Sequence, residues 1–115
     1  MSKTTIFSGY LLRKKGSVWK RRWCVVKEHS FFCYKDFDIG VSELEFQLEG
    51  CSVNCLEESV AERPFTFSIR FQNEVVVLAA ENDAELEEWI MVLKTECASN
   101  ESSYSKYIVD QRAMS

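Results

Sequence analysis

Between positions 43 and 49 the chain alternates strictly: Leu44, Phe46 and Leu48 interleave with Glu43, Glu45, Gln47 and Glu49. A period of two gathers the apolar set on one face, so the segment predicts a half-buried strand with one wet side. The same alternation recurs where Phe65, Phe67, Ile69 and Phe71 are spaced by Thr66, Ser68 and Arg70. Gln72-Asn73 reads as a tight turn into a further strand over Glu74 to Ala80. Upstream, Phe7 to Arg13, Trp19 to Lys27 and Phe31 to Lys35 are apolar or aromatic runs. They are separated by the turn signals Lys15-Gly16-Ser17 and Glu28-His29-Ser30. Ser52 to Leu56 makes a weaker strand, which brings the predicted total to seven.

The period then changes. Leu86, Trp89, Ile90, Leu93 and Cys97 recur at helical spacing and form one apolar stripe. Asn82 suits the N-cap, Glu85 three residues on suits a capping box, and the acidic first turns suit the positive end of the helix dipole. Strands without intervening helices imply antiparallel pairing. The expected fold is therefore mainly β with one helix. It is a seven-stranded, antiparallel, partly open barrel of two near-orthogonal sheets, capped by the C-terminal helix. Residues 1–98 form the expected domain. Residues 99–115 form a polar tail with a second helical stretch over Ser103 to Arg112, and its polarity suggests a linker.

At 115 residues, 46% hydrophobic and 28% charged, the chain has the balance of one ordinary globular domain. Its longest apolar run, Val75 to Ala80, is far short of a membrane span, and the first residues lack the apolar core of a secretory signal. Five cysteines, an odd count without CxxC spacing, point to reduced thiols in the cytosol, and Cys51 and Cys55 read as small buried apolar side chains. One histidine, His29, supports no metal site and reads as a turn residue. No glycine-rich phosphate loop or nucleophile elbow is present, so neither a cofactor nor an enzymatic activity is expected.

Charge changes the picture. Residues 1–35 hold nine Lys/Arg and one Glu, a net +8; residues 36–115 hold five Lys/Arg and seventeen Asp/Glu, a net −12; together they give the −4 of the whole. Such segregation attracts anions to one end of a molecule. Strand parity sharpens the point, because Lys20 and Arg22 share a face with Cys24 and Val26, and Arg13 shares a face with Leu11. Arg13, Lys20 and Arg22 are thus expected at one mouth of the barrel, with Lys14 and Lys15 on the loop above. Cations converging in this way suit a polyphosphate, to which charge-assisted bonds are strong. Val18 and Trp19 at the tip are candidates for membrane contact, with packing the other reading of Trp19. A nucleic-acid ligand is disfavoured by the acidic remainder and the pI near 5.1.

The string Gly9-Tyr10-Leu11-Leu12-Arg13, followed by Trp19-Lys20-Arg21-Arg22-Trp23, resembles the opening of a pleckstrin homology (PH) domain, and Trp89 resembles that family's helix tryptophan. The resemblance covers roughly residues 7–97. It implies that Arg13, Lys20 and Arg22 match the basic positions through which phosphoinositide-binding members hold the headgroup. Cys33 departs from the family pattern by standing where strong 3-phosphoinositide binders carry a tyrosine. Asp36 and Asp38 depart from it by standing where another basic ligand is expected, and the loop after Arg13 is short. Acidic Glu57, Glu58 and Glu62 precede the sixth strand and face away from the lipid or oppose it. The expected function is that of a cytoplasmic signalling or adaptor module, peripheral at the plasma membrane or endomembranes. It would bind anionic phosphoinositides weakly to moderately through the first hairpin. The alternative is a protein–protein interaction module of the same fold with no specific lipid ligand.

Overall fold

The structure, a computed structural model, describes residues 5–36 and 40–98. The chain runs β1 (Thr5–Lys15), β2 (Val18–Lys27), β3 (Ser30–Tyr34), β4 (Leu44–Gln47), β5 (Ser52–Leu56), α1 (Glu58–Ala61), β6 (Thr66–Phe71), β7 (Glu74–Ala79) and α2 (Asp83–Ala98). The seven strands form one antiparallel sheet in the order β4-β3-β2-β1-β7-β6-β5. All pairs but one are sequence neighbours, as chain connectivity favours, and β1–β2, β2–β3 and β6–β7 are joined by two-residue turns. The exception is β1 beside β7, where the register holds only Leu12 opposite Ala79 and Arg13 opposite Leu78. Leu11, Cys24, Val26 and Phe31 from one half of the sheet share a core with Val53, Phe67, Ile69 and Leu78 from the other. The sheet therefore folds over on itself. Among the described residues its edge strands β4 and β5 do not pair, which leaves the barrel open along that seam. The two expected layers are two halves of one continuous sheet.

Two-residue hairpin turns need left-handed backbone to match strand twist. Gly16 (φ 64) supplies it between β1 and β2, Glu28 and His29 (φ 53 and 63) between β2 and β3, and Gln72 (φ 52) between β6 and β7.

Helix α2 closes one end. Trp89 and Leu93 are buried, with Leu86, Ile90 and Cys97 partly buried beside them. The Trp89 ring meets Phe7 edge-on at 4.7 Å and Phe31 at 6.5 Å. It also lies against Gly9, where an added Cβ would stand 3.5 Å from the ring. The helix starts as predicted: the Glu85 amide donates to Asn82 Oδ1 at 2.9 Å, satisfying one of the orphan N–H groups of the first turn. Asn82→Ala should therefore cost about 1 kcal/mol in a urea-denaturation series, without changing the fold.

Several local features differ from the sequence reading. Strand β1 continues through Lys14 and Lys15, so the turn shrinks to Gly16-Ser17 and both lysines are strand residues. The stretch before β6 contains α1, a single turn that buries Ala61 and ends at Glu62 in the left-handed region. Four residues are too few to show a helical period. Cys55 is exposed, because it lies toward the end of edge strand β5, and Val53 is the β5 residue that reaches the core. Thr66 and Ser68, on the expected wet face of β6, are buried, and the Thr66 hydroxyl donates to the Arg63 carbonyl at 2.9 Å. Glu96 is buried on α2, where its carboxylate meets His29 Nδ1 at 2.8 Å and ties the β2–β3 turn to the helix. The expected stretch Ser103 to Arg112 and the position Asp38 lie outside the described residues.

Candidate functional site

Residues directly opposite in an antiparallel pair share a face. In the β1–β2 hairpin Arg13 faces Lys20, Leu11 faces Arg22 and Lys15 faces Val18. Arg13, Lys15, Lys20 and Arg22 therefore stand on the inner face, above buried Leu11 and Cys24, at the end of the barrel away from the β2–β3 turn. Lys14 is opposite Trp19, so it belongs to the other face. The structure brings Arg13, Lys15, Lys20 and Arg22 together and sets Lys14 apart. Val18 is exposed at the hairpin end, and Trp19 is half-buried with the Arg63 guanidinium 5.2 Å from its ring centroid.

The inner-face cations are not equally available. Arg22 Nε donates to Glu43 Oε1 at 2.7 Å, and its Nη1 donates to the Arg21 carbonyl at 2.9 Å. Burial acts to raise the Glu43 pKa, but the Arg22 bond and charge, aided by Lys15 and Arg13, outweigh it and hold this carboxyl below its ordinary value. The stabilisation is thus present above the unfolded carboxyl's pKa and fades as pH falls through the lower folded value. Glu43→Gln should lower the melting temperature near neutrality, and the gap from wild type should close as pH falls below the ordinary carboxyl range and through the lowered folded value. Glu43 was invisible as a mouth residue in the sequence, since it stands just before β4 and its partner on β2 is 21 positions away.

Below the cations lies a thiol pair. Cys24 and Cys33 face one another across β2 and β3, both fully buried. Contact with Cys24 is the largest influence on Cys33 and lowers its pKa to about 7; burial opposes this and Arg13 assists it. The same contact, with burial, pushes Cys24 well above the usual thiol range. Asp36 accepts a hydrogen bond from the Tyr10 hydroxyl at 2.7 Å, and Tyr10 belongs to the face opposite Arg13. Asp36 is thereby engaged away from Arg13 and Lys20. Glu57, Glu58 and Glu62 lie exposed on and beside α1. Val41, 93% exposed in the β3–β4 connection, adds an apolar side chain at the same end of the sheet as the β1–β2 turn.

The outer face differs in kind. Tyr10 and Trp23 pack edge to face at 4.8 Å, and the Arg21 guanidinium lies 3.6 Å from the Tyr10 ring centroid. Beside them a groove of about 550 Å³ runs between β1, the start of β6 and α2. No helix among the described residues is long and apolar enough to cross a membrane.

A family profile for the PH domain matches residues 5–98. The chain belongs to the PH domain family. Among curated proteins it is similar to actin filament-associated protein 1-like 2 of Xenopus laevis, 30% identical over 96 residues, which cover 82% of this chain and 12% of that protein. It is 33% identical to human actin filament-associated protein 1 over 87 residues, covering 74% and 12% of the two chains. It is 32% identical to human Sesquipedalian-1 over 91 residues, covering 75% and 35%. The chain thus spans a small part of these relatives. Among solved structures, the PH domain of human KIAA0053 protein superposes with a TM-score of 0.74 at 26% identity, over 87% of this chain and 94% of that one. The C-terminal PH domain of pleckstrin, solved with an inositol pentakisphosphate, superposes with a TM-score of 0.72 at 24% identity, over 84% and 99%. At that identity the likeness of this PH domain to pleckstrin concerns the fold alone.

Proposed function

We propose that this PH domain is a membrane-targeting or adaptor module of a signalling protein, a binding rather than a catalytic unit. Its inner-face hairpin cations hold anionic phosphoinositide headgroups with weak to moderate affinity. The observation that carries this reading is the register placing Arg13 opposite Lys20 with Lys15 on the same face. Arg22 completes the set once released from Glu43, Lys14 adds charge toward the surface, and Val18 and Trp19 contact the lipid beside it. Residues 1–98 form the folded module in this reading and residues 99–115 its polar extension. The protein is then peripheral to the cytoplasmic side of the plasma membrane or endomembranes. Each cation near an anionic leaflet contributes about 1 kcal/mol, so three give useful but not tight docking.

The test is sedimentation with vesicles of phosphatidylcholine alone or doped with single phosphoinositides, at low and high salt. Binding that requires the anionic lipid and falls as salt rises supports the proposal. Absence of binding to every anionic vesicle defeats it and leaves protein partners as the function. Glu43→Gln supplies a check in the opposite direction. Freeing Arg22 and removing a negative charge should strengthen vesicle binding about fivefold while the fold loses stability. A variant that binds no better than wild type would show that the Arg22–Glu43 pair does not restrain the site.

A further inference from the structure

Strands β2 and β3 set two thiols face to face. Cys24 is directly opposite Cys33, and both residues belong to the core. Backbone direction decides how close they come. The carbonyls of His29 and Cys33 accept hydrogen bonds from the amides of Leu48 and Glu43 at 2.9 and 2.7 Å, so at these alternate positions the main chain turns its polar groups toward the β4 side. Cys33 therefore exchanges no main-chain bonds with β2, and Cys24–Cys33 is a non-hydrogen-bonded pair. Such pairs are the narrow ones of an antiparallel ladder, with Cα atoms about 4.5 Å apart and side chains at their closest. That spacing lies inside the range of about 4.4–6.8 Å over which a disulfide forms.

The two thiols differ in kind. Contact with Cys24, helped by Arg13 and opposed by burial, brings the Cys33 pKa down to about 7, so a large share is thiolate near neutrality. Contact with Cys33 and burial hold Cys24 well above the usual thiol range, so it keeps its proton. One is thus a nucleophile and the other its proton-bearing neighbour. Cys51 and Cys97, the other thiols in mutual contact, lack this asymmetry, because burial raises both and takes Cys97 to about 12. Cys55 is exposed and stands opposite Phe67.

We propose that Cys24 and Cys33 are a peroxide-responsive pair that closes reversibly into a cross-strand disulfide. Full burial of the pair excludes bulky oxidants. The charged groups that act on it, Arg13, Arg22 and Glu43, are side chains of the barrel mouth, through which a water-sized peroxide enters. The Cys33 thiolate attacks the O–O bond of hydrogen peroxide and becomes a sulfenic acid, and the released hydroxide takes up a proton as water. The Cys24 thiol then gives up its proton and attacks that sulfur, which forms the S–S bond and expels the second oxygen as water. Two thiols and one hydrogen peroxide become one disulfide and two waters. No lipid takes part, so the outcome is separate from that of the docking site.

The test treats the reduced whole chain with hydrogen peroxide, alkylates the remaining thiols with N-ethylmaleimide in denaturant, and maps tryptic peptides by mass spectrometry. Trypsin cuts after Arg22, Lys27 and Lys35, so the two cysteines fall in separate peptides, 23–27 and 28–35. The expected result is that these two peptides are recovered joined, and that dithiothreitol separates them. Joining should be about tenfold slower at about pH 5.5 than at about pH 7.5, as the Cys33 thiolate is lost. In Cys24→Ala the sulfenic acid on Cys33 should persist and be trapped by dimedone, whereas Cys33→Ala should leave Cys24 unoxidised. Recovery of both peptides alkylated and unjoined from the folded wild type would overturn the proposal. So would joining at an equal rate in the unfolded chain, or a joined pair of Cys51 and Cys97 in place of this one.

Discussion

Trp89→Ala is expected to lower the unfolding free energy by about 3–5 kcal/mol, among the largest losses any one residue of this fold can produce. The ring is 2% exposed and joins three elements, meeting Phe7 on β1, Phe31 on β3 and the face of Gly9. A buried indole removes roughly 150–250 Å² from water, worth about 4–6 kcal/mol at about 25 cal/mol per Å². Because a domain of this size has only about 5–15 kcal/mol in all, the variant gives up a substantial share of its stability and should melt well below wild type. Trp89→Phe should recover part of the loss, since it keeps an aromatic edge against Phe7. Urea denaturation followed by circular dichroism reads both. A loss below about 1 kcal/mol for the alanine variant would mean that α2 is held on the barrel mainly by Leu93 and its neighbours.

Replacing Arg13 and Lys20 together by alanine is expected to weaken binding to phosphoinositide vesicles about thirtyfold. Two cations at about 1 kcal/mol each give about 2 kcal/mol, and every 1.4 kcal/mol is a factor of about ten. These two are chosen because they face one another and neither is the partner of Glu43. Lys20 is exposed and can be truncated with little effect on folding, whereas Arg13 is half-buried beside Cys33, so a thermal melt must accompany the binding assay. Lys14→Ala, on the other face, should cost far less than Lys20→Ala. Equal losses for the two single variants would show that the domain responds to net charge and not to a formed mouth.

Much of this architecture is legible in the chain. Strands with one wet face announce themselves by alternation, as Leu44, Phe46 and Leu48 do, and α2 announces itself by Asn82 and the stripe through Trp89. Parity alone placed Arg13, Lys20 and Arg22 on one face, and the register agrees. What escaped the sequence has no local signal. Lys14 and Lys15 look like loop residues because the polar run Arg13-Lys14-Lys15-Gly16-Ser17 does not reveal how few of its members the turn needs. Glu43 looks like the solvent side of β4, and only the folded sheet carries it to Arg22. Glu96 looks like a surface helix residue until the β2–β3 turn delivers His29 to it. The groove is the furthest from sequence, since it arises from where β7 stops relative to β1, a fact of register and chain direction with no residue type of its own.

The central claim is that the inner face of the β1–β2 hairpin is where anionic phosphate groups dock. The most direct test is a titration of the isotopically labelled chain with a soluble inositol polyphosphate, followed by amide NMR. The account predicts saturable shifts concentrated on residues 11–15 and 18–22, reduced by added salt and abolished by the Arg13→Ala, Lys20→Ala double variant. Shifts confined to the outer-face groove around Arg21 and Arg63, or no saturable shift at all, would contradict it.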